Sequence, residues 1–304
     1  MQPDPVHSLR DLETWSRAGV SLAVLGHPIK HSISPPMHNA ALADLARGDA
    51  RFAEWKYFRF EIPPADLPRA LELLHVKKFR GVNLTVPHKV LAFDRVAEVD
   101  AAAQPVGAVN TLRWSERGWQ GFNTDGYGLS AAVRETLQRD LAGSHVILLG
   151  AGGAARGAGV ECLQRRCASL WIANRTRENL DNLLAVLAPL AGKIPVHGFS
   201  PAAPPANLPS GALVINATSA GLKETDPTPI DLTALTHPAA VFDMIYNPPH
   251  TALLKTAASL GIPHANGLSM LVHQGAKALE IWSGIPAEKT APSMSTAAKA
   301  AMNI

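Results

Sequence analysis

Lys89 and Asp125 are the residues best suited by type to move a proton. Lys89 closes VNLTVPHK (82–89), where Asn83 and Thr85 add polar groups, and Asp125 sits with Asn123 and Thr124 in GFNTDGYG (121–128). A lysine and an aspartate in one cleft, beside a hydride carrier, suit ketone reduction. The ammonium gives its proton to the carbonyl oxygen as hydride reaches the carbon, and the carboxylate orients the lysine and relays protons. Oxidation needs the neutral amine, so it is expected to speed up towards alkaline pH. The pattern alone leaves both residues open. Most lysines are solvated, and an aspartate here equally suits capping of the helix that follows.

GHPIKHSISPPMHN (26–39) offers a different chemistry. Ser32 and Ser34 alternate, so in an extended loop both hydroxyls face one side and can hold a carboxylate. His27, His31 and His38 suggest a metal, but prolines at 28, 35 and 36 keep all three off one helix, and no carboxylate is close in sequence. A metal site is therefore not expected.

The motif of greatest weight is GAGGAARG (150–157). Gly150, Gly152 and Ala155 fit the dinucleotide fingerprint directly after an apolar run and at the start of a helix. The first glycine permits the tight turn, the second admits a pyrophosphate, and the small third residue lets helix and strand pack closely. Gly153 and Ala154 open the helix, whose N-terminus presents N–H groups to phosphates. The next strand ends in Asn174-Arg175-Thr176-Arg177. An NAD site usually places an acid here, about 20 residues on, to bond the ribose 2′-OH. Two arginines and a hydroxyl instead suit a 2′-phosphate, at roughly 1.5–3 kcal/mol per charge-assisted bond. NADP is therefore the expected cofactor. Arg177 equally suits a solvated place in the first turn of the next helix.

These residues need elements to hold them. VSLAVLG (20–26), WKYFRFEI (55–62) and FRGVNLTV (79–86) read as strands, with helices from the Pro35–Pro36 pair and through ADLPRALELLHV. AVNTLRW and GWQGFN read as two short strands joined by a turn at Ser115–Gly118. HVILLG (145–150), SLWIAN (169–174), ALVINATS (212–219) and AVFDMIY (240–246) continue the series. Strands alternating with helices indicate an α/β fold with mostly parallel sheets. SPAAPPANLPSG (200–211) reads as a surface loop. Leu268, Leu271, Val272, Gly275, Ala278, Leu279 and Trp282 make one helical stripe, and a last helix covers AEKTAPSMSTAAKAAM.

Composition narrows the function classes. The chain has 304 residues, the size of two domains. Its 28 basic residues exceed the 25 acidic ones by only three and form no run that would track a nucleic acid. No apolar stretch approaches the roughly 18 residues of a membrane span. MQPDPVHSLRDLETW has neither the apolar core nor the cleavage pattern of a signal peptide. Cys162 and Cys167, placed in one helix, read as ordinary buried thiols. A small-molecule substrate and a cytoplasmic location are expected.

Taken in order, HSISPPMHN, GVNLTVPHK, GAVNTL, GFNTDGYG, GAGGAARG, NRT, INATSAGL, DMIYNPPHTALL and NGLSMLVHQGAKALEIW resemble the shikimate dehydrogenase family from Gly26 to about Trp282. The resemblance implies reversible, NADP-dependent reduction of 3-dehydroshikimate to shikimate in aromatic amino-acid biosynthesis. It implies an α/β substrate domain (1–124 and 267–304) and a Rossmann-type, doubly wound NADP-binding domain (125–266), with the C-terminal helices returning to the former. Ser32 and Ser34 would hold the substrate carboxylate. Thr85, Asn110 and Gln274 would bond ring hydroxyls, with Tyr246 nearby, and Lys89 and Asp125 would be the catalytic pair. Gly267 joins Gly150, Gly152, Gly153, Ala154, Asn174, Arg175, Thr176 and Arg177 among the cofactor-binding residues. The assembly would be a monomer or a homodimer. Two positions depart from the family pattern. Asn179 stands where a second basic residue of the phosphate clamp is usual, a part Arg177 could take, and Ser269 stands where glycine is commoner. The alternatives are a quinate/shikimate or aminoshikimate dehydrogenase, or a non-catalytic NADP-binding regulatory module; the retained Lys89, Asp125 and Gln274 argue against the last.

Overall fold

The computed structural model describes residues 5–304. The first four residues of the N-terminal stretch read as non-secretory thus lie outside the described residues. The chain forms two compact units: one runs to Thr124 and includes Val272–Ile304, and the other spans Asp125–Leu271. Among the described residues, no helix is long and apolar enough to cross a membrane.

The first unit runs β1 (Val6–His7), α1 (Leu9–Glu13), β2 (Val20–Gly26), α2 (Ser34–Gly48), β3 (Trp55–Glu61), α3 (Leu67–Val76), β4 (Gly81–Leu84), α4 (His88–Leu91), β5 (Glu98–Val99), β6 (Thr111–Ser115) and β7 (Gly118–Phe122). Its sheet has the order β1-β3-β2-β4-β6-β7-β5. β6 runs antiparallel to both neighbours, and the other pairings are parallel. β2 is apolar apart from Ser21 because it is buried between β3 and β4. β4 is shorter than FRGVNLTV predicts. The backbone turns at Thr85, whose carbonyl accepts the His88 N–H at 2.8 Å.

The second unit runs α5 (Asp125–Leu137), β8 (His145–Leu149), α6 (Gly153–Gln164), β9 (Ser169–Ala173), α7 (Arg177–Ala191), β10 (Val196–Phe199), β11 (Leu213–Asn216), β12 (Ala240–Asp243), α8 (Ala252–Ser259) and β13 (His264–Ala265). All its strands are parallel, in the order β10-β9-β8-β11-β12-β13. From β8 the chain winds out through β9 and β10, then returns to β11 on the other side. That reversal is the doubly wound topology, and ligands bind such sheets at the strand ends flanking it. β11 and β12 stop earlier than predicted because polar side chains turn the backbone. Asn216 Oδ1 accepts the Thr218 N–H and Asp243 Oδ1 accepts the Ile245 N–H, each at 3.0 Å.

α9 (Leu268–Ser283) and α10 (Ala287–Met302) follow. Both helices match the predicted spans. From Val272 onward the chain belongs to the first unit, where α10 packs on α2 and Ser293 donates to Asp44 at 2.6 Å. Cys162 and Cys167 do not share a helix. α6 ends in a Schellman turn with Arg166 left-handed at φ 60°, and the Cys167 N–H bonds back to Cys162 O at 3.0 Å. Both thiols are buried, which raises their pKa values and leaves them inert.

Candidate active site

In the first unit, the candidate residues follow the C-terminal ends of β2 and β4, which pair Leu25 to Leu84. Gly26 is needed there, because a Cβ on it would stand 2.5 Å from Thr85 Cγ2. Thr85 is half-buried, and its N–H donates to Leu25 O at 3.0 Å. Lys89 is the second residue of the short α4, also half-buried, and its carbonyl accepts the Val109 N–H at 2.9 Å.

The Ser32–Ser34 segment is not the extended loop expected. Ile33 has φ −92° and ψ 4°, and Ser34 is already the first residue of α2. Ser32 Oγ accepts the Ser34 N–H at 3.3 Å. Pro35 and Pro36 follow and have no N–H to give. The start of α2 therefore offers an anion hydroxyl groups rather than a row of backbone donors. No carboxylate is close to the histidines in sequence, but the fold brings Glu61 of β3 to His27 Nδ1 at 2.7 Å. His38 is buried and stacks on Tyr57, with ring centroids 4.1 Å apart. Among the described residues no group of three or more side chains could hold a metal.

Asn110 and Gln274 are 164 residues apart in sequence, yet Asn110 Nδ2 reaches Gln274 Oε1 at 3.5 Å. Thr124 completes the cluster. Its N–H donates to Asn110 Oδ1 at 2.8 Å, and its hydroxyl reaches Gln274 Oε1 at 3.5 Å. Asn83 stands behind them rather than in the cluster, accepting from Tyr57 Oη at 2.7 Å and donating to Asn110 O at 3.1 Å. Thr124 and Tyr57 gained no role from sequence reasoning. Neither stands out by pattern: Thr124 lies in the link between β7 and α5, and Tyr57 lies in a strand that also carries Lys56, Arg59 and Glu61.

In the second unit, the glycine turn leaves β8 beside the end of β11. Gly150 has φ +108°, which only glycine adopts without strain, and a Cβ on it would lie 3.2 Å from Ala217 O. Gly152 is the N-cap of α6 and makes no side-chain capping bond, and a Cβ on Gly152 or Gly153 would meet open space. Ala154 continues the first turn, and Ala155 is fully buried, as close helix–strand packing requires. This end of α6 fits a pyrophosphate. Asn174, Arg175 and Thr176 follow β9, with Asn174 Nδ2 donating to Thr176 O at 2.8 Å. Arg175 is exposed, whereas Arg177 pairs with Asp181 at 2.8 Å, one helical turn along α7. That pairing is the solvated first-turn arrangement left open for Arg177. Asp125 is the first residue within α5 rather than its cap, where the helix dipole favours a carboxylate. Tyr246 is half-buried, and burial raises its phenol pKa. Gly267 lies close against the backbone just past β12, and a Cβ there would lie 2.1 Å from Met244 O.

A family model described as "Shikimate dehydrogenase substrate binding domain" matches residues 24–112, and one described as "Shikimate 5'-dehydrogenase C-terminal domain" matches 267–291. The shikimate dehydrogenase (NADP(+)) of Thermosynechococcus vestitus is 39% identical over 272 residues, covering 88% of this chain and 91% of that protein. The chain belongs to the shikimate dehydrogenase family. A solved member of the family, from Thermus thermophilus in complex with NADP(H) and shikimate, superposes with a TM-score of 0.78 at 32% identity, covering 93% of this chain and 99% of that one. A ligand-free 5-ketofructose reductase from Gluconobacter superposes equally well, at TM-score 0.78 and 29% identity, covering 92% and 99%. The shikimate dehydrogenase fold is thus also that of a reductase named for a sugar substrate, so the substrate must be argued from side chains.

Proposed function

We propose that this chain is an NADP-dependent shikimate dehydrogenase that interconverts 3-dehydroshikimate and shikimate. The observation that carries the reading is the Asn110–Thr124–Gln274 cluster, in the unit that also holds Ser32, Ser34, Thr85 and Lys89. Amide and hydroxyl groups suit a polyhydroxylated ring, and the paired serine hydroxyls suit its carboxylate. The second unit, with the uncapped start of α6, takes the cofactor pyrophosphate. Arg175 and Thr176 take the 2′-phosphate, and Asn174 and Gly267 shape the rest of that pocket.

Bound NADPH supplies the hydride. Lys89 gives its proton to the carbonyl oxygen in reduction and takes it back in oxidation. Asp125 orients Lys89 and relays the proton, and Tyr246 stands by the substrate. The enzyme works in the cytoplasm as a monomer or a homodimer.

The test is a steady-state assay following nicotinamide absorbance, with shikimate and quinate, each with NADP and NAD, and with 5-ketofructose plus NADPH. Shikimate with NADP should give the highest kcat/KM. Comparable rates on quinate or with NAD would move the protein to the broader quinate/shikimate group. Turnover of 5-ketofructose alone would overturn the substrate reading.

A further inference from the structure

The loop from β2 to α2 delivers Ser32 and Ser34, and β3 clamps that loop with two side chains. Arg59 and Glu61 alternate at the end of β3, so they project from one face of the sheet. Glu61 Oε2 accepts the Ile29 N–H at 2.8 Å, and its other oxygen meets His27. Arg59 holds the next stretch. Its Nη1 donates to Lys30 O at 2.7 Å and to Ser32 O at 3.2 Å. Arg59 is 7% exposed, so its charge acts where water screens it little.

We propose that Arg59 is a positioning residue that fixes the Ser32–Ser34 turn and makes the site select an anionic, carboxylate-bearing substrate. The inference rests on the reading of Ser32 and Ser34 as the carboxylate hold. Two serine hydroxyls are neutral. The start of α2 adds no free donor, since the Ser34 N–H is spent on Ser32 Oγ and the two prolines have none. Arg59 brings a buried positive charge to this turn through the carbonyl of Ser32 itself. One guanidinium nitrogen bridges two carbonyls from a planar, delocalised group, which a lysine ammonium does not reproduce. A sugar ketone has no carboxylate and gains nothing from such a charge.

Kinetics of shikimate oxidation with NADP in the wild type, Arg59→Met and Arg59→Lys test this, beside the uncharged methyl ester of shikimate. Arg59→Met should raise the shikimate KM by about tenfold or more, with a smaller change in kcat and no change in the NADP KM. Arg59→Lys should recover part of the loss, and the ester KM should be alike in all three proteins. An unchanged shikimate KM in Arg59→Met, or an equal loss for shikimate and ester, would overturn the proposal. Thermal melts identify a variant that fails to fold; if Arg59→Met does, the Arg59→Lys ratio of acid to ester decides. If the wild type does not oxidise shikimate at all, the function reading fails instead. Calorimetric binding of shikimate, wild type against variant, then judges Arg59 by the same tenfold difference.

Discussion

Lys89 stands one residue into a helix of four, directly after the turn that ends β4, and its carbonyl is held by the Val109 N–H just before β6 while its side chain extends from a short element. Losing a general acid/base typically costs about 10²–10⁴ in rate. Lys89→Ala should therefore lower kcat by that range in either direction while NADPH binding, followed by fluorescence, stays nearly intact. A fall of less than tenfold would remove Lys89 from the proton path. Arg175 poses the matching question for the cofactor. It is exposed at the end of β9, and the nearby Arg177 is already paired with Asp181. Arg175 thus carries most of the 2′-phosphate reading, and Arg175→Asp should weaken NADPH by about tenfold or more with little effect on NADH. Equal loss of both, measured by titration, would make Arg175 a support of the fold.

β4 and α9 meet at Gly81, where a Cβ would fall 2.1 Å from Trp282 Nε1. That indole is fully buried and donates to Leu112 O at 2.9 Å, so it has no free rotamer to retreat into. Overpacking a well-filled core costs about 1–3 kcal/mol. Gly81→Ala should lose stability in that range by urea denaturation. It should also raise the shikimate KM, because the same helix carries Gln274. An unchanged KM beside lost stability would separate the helix's packing from its part in binding. Elements of this kind were legible in sequence where the pattern was long: α9, α10, β2, β3, β8 and β9 fall at or near their predicted spans, whereas β4, β11 and β12 keep only about half of theirs. β1, β10 and β13 are only two to four residues long, too short to show a period. The Ser32–Ser34 turn was misread because alternation signals an extended chain only where the backbone is extended, and here the helix starts at once. Asn110 with Gln274 was out of reach of local pattern, since a contact across 164 residues needs the whole unit folded. Only the resemblance to the shikimate dehydrogenase family had brought those two together. Arg59 was passed over because a lone arginine in a strand looks like any solvated one until its burial is known.

At the scale of the whole molecule, stability depends on a histidine the chemistry does not use. His38 lies inside the first unit, stacked flat on Tyr57, with no hydrogen-bond partner for either ring nitrogen. Burial pushes its pKa down from 6.5 to about 3. The unfolded chain therefore takes up a proton below pH 6.5 that the folded chain refuses until about pH 3. In that window the unfolded state binds more protons, so stability rises with pH and is lost as pH falls from 6.5 towards 3. The full slope is about 1.4 kcal/mol per pH unit, which amounts to about 2 kcal/mol between pH 7 and pH 5. His7 and His88, also lowered chiefly by burial, act in the same direction. Asp243, which burial raises above 3.8, acts in the opposite one. His38→Phe isolates the effect of His38. Phenylalanine keeps an aromatic face for Tyr57 and removes both unpartnered nitrogens. Urea denaturation at pH 7 and pH 5 should show the wild type losing about 2 kcal/mol more than His38→Phe over that interval. Equal losses in the two proteins would mean that His38 finds a proton partner in the folded state, and that acid weakens this protein through its other groups.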